Sequence, residues 1–174
     1  KIQEEAQARS QQLLDTISDT FATEQIRLAN FSSVCRSDAA LILGAANSLG
    51  PVYLSERAEQ IGEKLQLIGH SLPYADSAVL YVRTGEKVIS QSGYINSKNW
   101  YLDTLNPKLA PGEELPELDA LQNGFYTYRN FSLYVCNIFG RGSIIIRLDA
   151  EKLFNLEELH LLLPDYEILV LDNN

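Results

Sequence analysis

The first 43 residues contain neither glycine nor proline. Apolar or small residues recur through and just beyond this stretch at Leu14, Ile17, Phe21, Leu28, Phe31, Cys35, Ile42, Ala45 and Leu49. Their spacing alternates between three and four, a heptad-like helical stripe. A helix over residues 1–49 would be about 70 Å long. A compact domain of 174 residues cannot cover that length, so the first turns are expected to project beyond the core. Glu24 and Asp38 interrupt the stripe. Ser37-Asp38 has the chemistry of a fresh helix cap, so a kink is expected near Arg36. Two uses of the stripe stay open: an intersubunit seam, or one arm of an ordinary helical hairpin.

Gly50-Pro51 ends the first helix. A second is expected over residues 54–70, with Ser55 as cap and Leu54, Ala58, Ile61, Leu65 and Ile68 on one face. From residue 76 the period changes. Residues 77–83 and 88–94 are rich in Val, Ile, Leu and Tyr and flank the turn Thr84-Gly85-Glu86-Lys87, which predicts a hairpin. Residues 96–105 read as a short helix capped by Ser97. Residues 106–117 carry Pro107, Pro111 and Pro116 without periodicity, so an exposed excursion over the sheet is expected. Three strands follow, at 125–129, 132–139 and 143–149, joined by short turns into an antiparallel meander. Asp149 caps a helix over 150–163 that Pro164 ends, and 167–171 reads as a last strand. The fold class is α+β: a long N-terminal helix packed on an antiparallel sheet of about five strands, with a helical and loop insertion. The organisation expected is a leading helix (1–50), a sensing domain (51–166) and an exit strand (167–174).

The formal net charge of −9 repels phosphate backbones and anionic lipid, which argues against nucleic-acid binding by this chain. His70 and His160 have no partner at ligand spacing, and no zinc or redox motif is present; no metal or cofactor is expected. Cys35 and Cys136 are read as separately buried thiols, although an exported domain would also allow a disulfide. The apolar runs at 143–148 and 161–163 fall well short of the ~20 residues that cross a bilayer. The chain contains no methionine, and it is read as an excised segment of a longer protein. No catalytic constellation is visible. The adjacent carboxylates Glu113-Glu114 and Glu157-Glu158 point apart and are expected to be solvated. The chain is not expected to be an enzyme.

Aromatic residues gather around the predicted sheet and its insertion: Tyr94, Trp100, Tyr101, Tyr126, Tyr128 and Tyr134. Rings with polar tips suit a small-molecule pocket, and they equally suit the half-buried face of a sheet.

Five strands split two-plus-three around a helical insertion give the order of a PAS-like sheet. Together with the long first helix, the hairpin at 75–94, the pair Trp100-Tyr101, the segment Asp149-Ala150-Glu151-Lys152-Leu153 after the meander and the closing run at 167–173, the chain resembles the Cache family. These are the extracytoplasmic PAS-like sensors of bacterial chemoreceptors, sensor histidine kinases and membrane-bound transcription regulators. The resemblance implies an extracytoplasmic domain of a membrane-anchored receptor that binds a small molecule, an organic acid or amino acid, between the sheet and its helical cover. It also implies an output domain elsewhere, such as a histidine kinase, and a homodimer through the first helix. In amino-acid-sensing members a strand Tyr precedes an Arg-x-Trp-Tyr motif whose Arg holds the ligand carboxylate, and a later Asp takes the amine. Here Tyr94 and Lys98-Asn99-Trp100-Tyr101 occupy those positions. Lys98 replaces the Arg and cannot bind a carboxylate bidentately. Asn130 and Asn137 stand where the later Asp is sought. The ligand-binding residues implied are Tyr94, Lys98, Trp100, Tyr101, Tyr126, Tyr128 and Asn130. The alternative is a protein-interaction or dimerisation module without a ligand.

Overall fold

Pro51 sits at the first position of a helix, where a missing N–H does no harm. The computed structural model describes residues 2–49 and 51–154. Helix α1 spans Ile2–Leu49 and α2 spans Pro51–Ser71. No new helix starts at Ser37-Asp38: α1 runs through both, and the Ser37 hydroxyl bonds back to the Ser33 carbonyl at 3.3 Å instead of capping. Ser55 lies inside α2 and not at its start, since Pro51 already begins the helix.

Six strands follow: β1 (Ala75–Val82), β2 (Lys87–Ser90), β3 (Ile95–Ser97), β4 (Gly124–Thr127), β5 (Ser132–Asn137) and β6 (Gly142–Leu148). They form one sheet in the order β3-β2-β1-β6-β5-β4, with every neighbouring pair antiparallel. This is the expected α+β, PAS-like arrangement with one more strand at the edge. The strand expected at 88–94 ends at Ser90, where Gly93 (φ +76°) turns the chain and lets Ile95–Ser97 fold back on β2. Helix α3 (Lys98–Leu105) starts at its predicted cap: the Ser97 hydroxyl accepts the Trp100 N–H. Helix α4 (Ala150–Phe154) starts at Asp149, whose carboxylate accepts the Lys152 N–H at 3.1 Å. The remainder of the 150–163 helix, Pro164 and the 167–174 segment lie outside the described residues.

Two apolar layers cover the sheet. On one face, Ala78, Leu80 and Val82 of β1 and Ile144, Ile146 and Leu148 of β6 pack under Leu28 of α1 and Ala58, Ile61, Leu65 and Ile68 of α2. The α2 residues are the face that periodicity predicts. Phe21 and Phe31 of α1 join this layer, so those stripe positions are satisfied within the chain. The side chains of Cys35, Ile42, Ala45 and Leu49 lie outside the described residues. Glu24, which breaks the stripe, accepts a hydrogen bond from the Tyr74 hydroxyl and ties α1 to the entrance of β1. On the other face, Val79, Tyr81, Val88, Leu133, Val135 and Ile145 pack against Tyr101, Leu105, Leu118 and Leu121. Each such aliphatic side chain buried contributes about 1.5–3 kcal/mol.

The 106–121 excursion is pinned, not free. Asp119 accepts from the Tyr81 hydroxyl (2.9 Å) and from Arg83 Nε (3.0 Å). Glu113, expected to be solvated, accepts the N–H groups of Ala110 (2.8 Å) and Arg129 (2.7 Å). Its neighbours have no regular partner in the sheet, so its carboxylate satisfies backbone donors that would otherwise be unpaired.

Candidate functional site

A cavity of about 380 Å³ lies between the sheet and α3. Ser77 and Val79 of β1, Ser90 of β2, Arg147 of β6 and Trp100, Tyr101 and Thr104 of α3 line it, with Gln91 and Ser92 at the rim turn. Strand alternation explains the set. Ser77, Val79 and Arg147 project to the same face because side chains two apart share a face, and β1 and β6 are paired with Ser77 opposite Arg147.

Two polar atoms in this lining have no hydrogen-bond partner. The Tyr101 side chain is 3 % exposed, and its hydroxyl is buried without a hydrogen bond. Arg147 is 18 % exposed, and its Nε is likewise buried without one. Asp76 Oδ2 stands 3.5 Å from that nitrogen, an ion pair without hydrogen-bond geometry. Burial pushes the Tyr101 phenol well above its ordinary pKa, and the neighbouring Arg147 charge only partly opposes this. An unsatisfied buried donor costs about 1–3 kcal/mol. Tyr101→Phe is therefore expected to raise stability by about 1 kcal/mol, measured by urea unfolding; a loss of that size would show that the hydroxyl has a partner.

The structure divides the seven predicted site residues. Trp100, 42 % exposed, and Tyr101 line the cavity together. Tyr94 is 71 % exposed and sits in the turn before β3, not on a strand, because the chain has already reversed at Gly93. Lys98 Nζ is bonded to Glu86 (2.6 Å), with Glu117 at 3.7 Å, so two carboxylates of the chain itself face its charge. That hydrogen bond to Glu86 raises its pKa. Tyr128 stacks on Phe131 with centroids 4.9 Å apart. The Tyr126 hydroxyl accepts the Gln122 N–H at 2.7 Å. Asn130 donates to the Lys108 carbonyl at 2.8 Å. Tyr126 and Asn130 tie the 106–122 segment to β4 and to the β4–β5 connection, and none of Tyr94, Lys98, Tyr126, Tyr128 and Asn130 lines the cavity. Asn137 accepts the Gly140 N–H at 2.9 Å and shapes the β5–β6 turn. Tyr134 lies on the opposite face, against Phe125 at 4.9 Å.

Arg147 was not signalled by any motif. The run Ser-Ile-Ile-Ile-Arg-Leu reads as a buried strand, and only its position opposite Ser77 places the guanidinium in the cavity. A second hollow of about 460 Å³ lies between α2 and the 91–92 turn. Its titratable side chains, Glu59, Glu63 and His70, are all exposed, which makes it a solvated cleft. Cys136 is a buried free thiol, with a pKa raised by burial; the Cys35 side chain lies outside the described residues. Among the described residues no cluster of His, Cys, Asp or Glu is arranged to hold a metal ion, and no helix is long and apolar enough to cross a membrane.

The phenols give the fold a pH limit. Burial, then hydrogen bonds to Glu24 and Asp119, raise the pKa values of Tyr74 and Tyr81 above the ordinary 10.0. Burial raises those of Tyr128 and Tyr134. Above pH 10 the unfolded chain releases phenolic protons that the folded chain keeps, so stability falls as pH rises. Below that value both states are protonated and these groups contribute no slope. Urea midpoints are expected to decline from about pH 10 upward; an unchanged midpoint at pH 11.5 would refute this account.

Comparison with protein-family models, with curated proteins and with solved structures finds no match to this chain.

Proposed function

We propose that the chain is a ligand-sensing domain of a bacterial signal-transduction receptor, displayed outside the cytoplasm, and that it binds a small molecule between the sheet and α3. The observation that carries this reading is the cavity in which Tyr101 and Arg147 present buried polar atoms without hydrogen bonds. Buried polar groups are almost always paired in folded proteins. Two orphans in one lining are what a site looks like when its donors are set for a ligand. Trp100 supplies an apolar wall, and Ser77, Ser90 and Thr104 supply hydroxyls that orient a bound molecule.

The rest of the fold suits signalling. Helix α3 and the pinned 106–121 segment form a cover on one face, while α1 lies across the opposite face of the same sheet. Ligand bound under α3 favours one arrangement of the cover and sheet over another. Helix α1 is rigid enough to carry that bias along about 70 Å. For the intersubunit-seam alternative, Phe21, Leu28 and Phe31 pack on the chain's own core, whereas Leu14 of the same stripe is exposed.

Thermal-shift screening of the purified chain with organic acids, amino acids, sugars and peptides is expected to give at least one stabilising compound. Thr104→Trp, which fills the cavity, is expected to abolish the shift. No hit in the full panel, or a hit indifferent to Thr104→Trp, would overturn the reading.

A further inference from the structure

The cavity lining contains one cation, Arg147, and no acidic side chain, in a chain whose net charge is −9. Its guanidinium is engaged from outside the lining by Asp76. Asp76 occupies a bulge: Ala75 pairs with Leu148 and Ser77 with Arg147, which leaves the residue between them without a partner on β6. Bulges re-aim side chains, and this one sets the carboxylate between two cations. Oδ2 lies 3.5 Å from Arg147 Nε, and Oδ1 lies 3.5 Å from Lys152 Nζ on α4. Lys152 is also 3.2 Å from Asp149, the cap of α4.

Resting on the sensor reading above, we infer that the ligand is a small carboxylate without an ammonium group, which docks on Arg147 in place of Asp76 and leaves Asp76 to Lys152 at the start of α4. A carboxylate matches the guanidinium fork in two parallel hydrogen bonds. Arg147 Nε gains the partner it lacks, and the Tyr101 hydroxyl gains an acceptor. An α-amino acid brings an ammonium group, and the one carboxylate beside Arg147, that of Asp76, lies outside the lining and is taken by Lys152. The volume, about 380 Å³, admits a hydroxy or keto acid with space to spare, and Ser77, Ser90 and Thr104 offer it hydroxyls. Asp76 is then an internal counter-ion. It neutralises Arg147 in the empty site and transfers occupancy to a residue of α4 when displaced.

The test is calorimetric titration of the purified chain with L-lactate, pyruvate and propionate, and with three controls: L-alanine, lactamide and inorganic phosphate. The expected result is binding of the three acids and none of the controls. Arg147→Gln is expected to abolish binding, and Arg147→Lys to weaken it while keeping the fold. Asp76→Asn removes the competitor and is expected to tighten binding about two- to fivefold, the size of a partly exposed ion pair. In hydrogen exchange, lactate is expected to increase protection of the Lys152 and Leu153 amides in the unaltered chain and not in Asp76→Asn. Equal binding of lactate and lactamide, or binding of alanine or phosphate alone, blocked by Thr104→Trp, would overturn the carboxylate assignment while the pocket reading stands. Weaker binding by Asp76→Asn would overturn the exchange. Absence of binding by every probe would overturn the inference, and the broader screen then decides the sensor reading separately.

Discussion

Gly62→Ala is expected to destabilise the domain by about 2–3 kcal/mol, toward the upper end of what overpacking costs. Elsewhere in a helix the same change would gain about 0.5–1 kcal/mol, because alanine is the better helix former. Here a Cβ would stand 2.5 Å from the Gly93 nitrogen and 2.7 Å from its Cα. Both obstacles are backbone, so no side chain can rotate away. The constraint is reciprocal: a Cβ on Gly93 would meet Glu59 Cα at 2.9 Å, at a φ of +76° that disfavours any other residue. Helix α2 and the turn between β2 and β3 therefore touch main chain to main chain. Urea unfolding of Gly62→Ala measures the cost. A variant as stable as the parent would mean that the two segments are farther apart than described.

Leu28→Ala is expected to cost about 2–5 kcal/mol, the range for truncating a fully buried leucine. Leu28 is 0 % exposed, and Ile17, Phe21 and Phe31 around it on α1 are only partly buried. It is the deepest fixing point of α1 on the sheet among the described residues. Phe21 of the same helix meets Phe125 at a centroid distance of 5.1 Å, and both rings belong to the layer that Leu28 joins. The measurement is thermal or urea unfolding at several protein concentrations. A loss independent of concentration is the expected result. A midpoint that falls with dilution, with little change at high concentration, would instead place Leu28 in an intersubunit seam.

How much of this was legible in the sequence depended on the range of the interactions involved. The helical stripe, the caps Ser97 and Asp149 and the β-branched runs act over a few residues, and they give α1, α2, α3, the start of α4 and most of the described strands. Residues 91–97 were misassigned because Gly93 reverses a chain whose composition stays strand-like on both sides. A helix start at Ser37 is not seen because a serine inside a helix can bond to the preceding turn as readily as it can cap a new one. The place of the cavity, under α3, followed from the Trp100-Tyr101 pair. Its charge did not. Lys98 resembled a ligand contact until folding brought Glu86, twelve residues away, against it. Arg147 resembled part of a core strand until pairing with β1 fixed its face. Both depend on contacts between segments that local patterns do not encode.

The sheet order also governs how the domain is made. Its two central strands, β1 and β6, are joined across about 60–75 residues of chain, whereas the hairpins on either side close locally. A nascent chain that has not yet produced Gly142 holds β1 paired on one edge only, with Ala78, Leu80 and Val82 lacking half of their cover. Loop closure over that span sets the pace of folding. Until β6 arrives, the open edge of β1 is a template for another chain's strand. Expression is therefore expected to be most vulnerable to aggregation in truncated chains that end before β6, even though the β1–β2 and β4–β5 hairpins in them are complete.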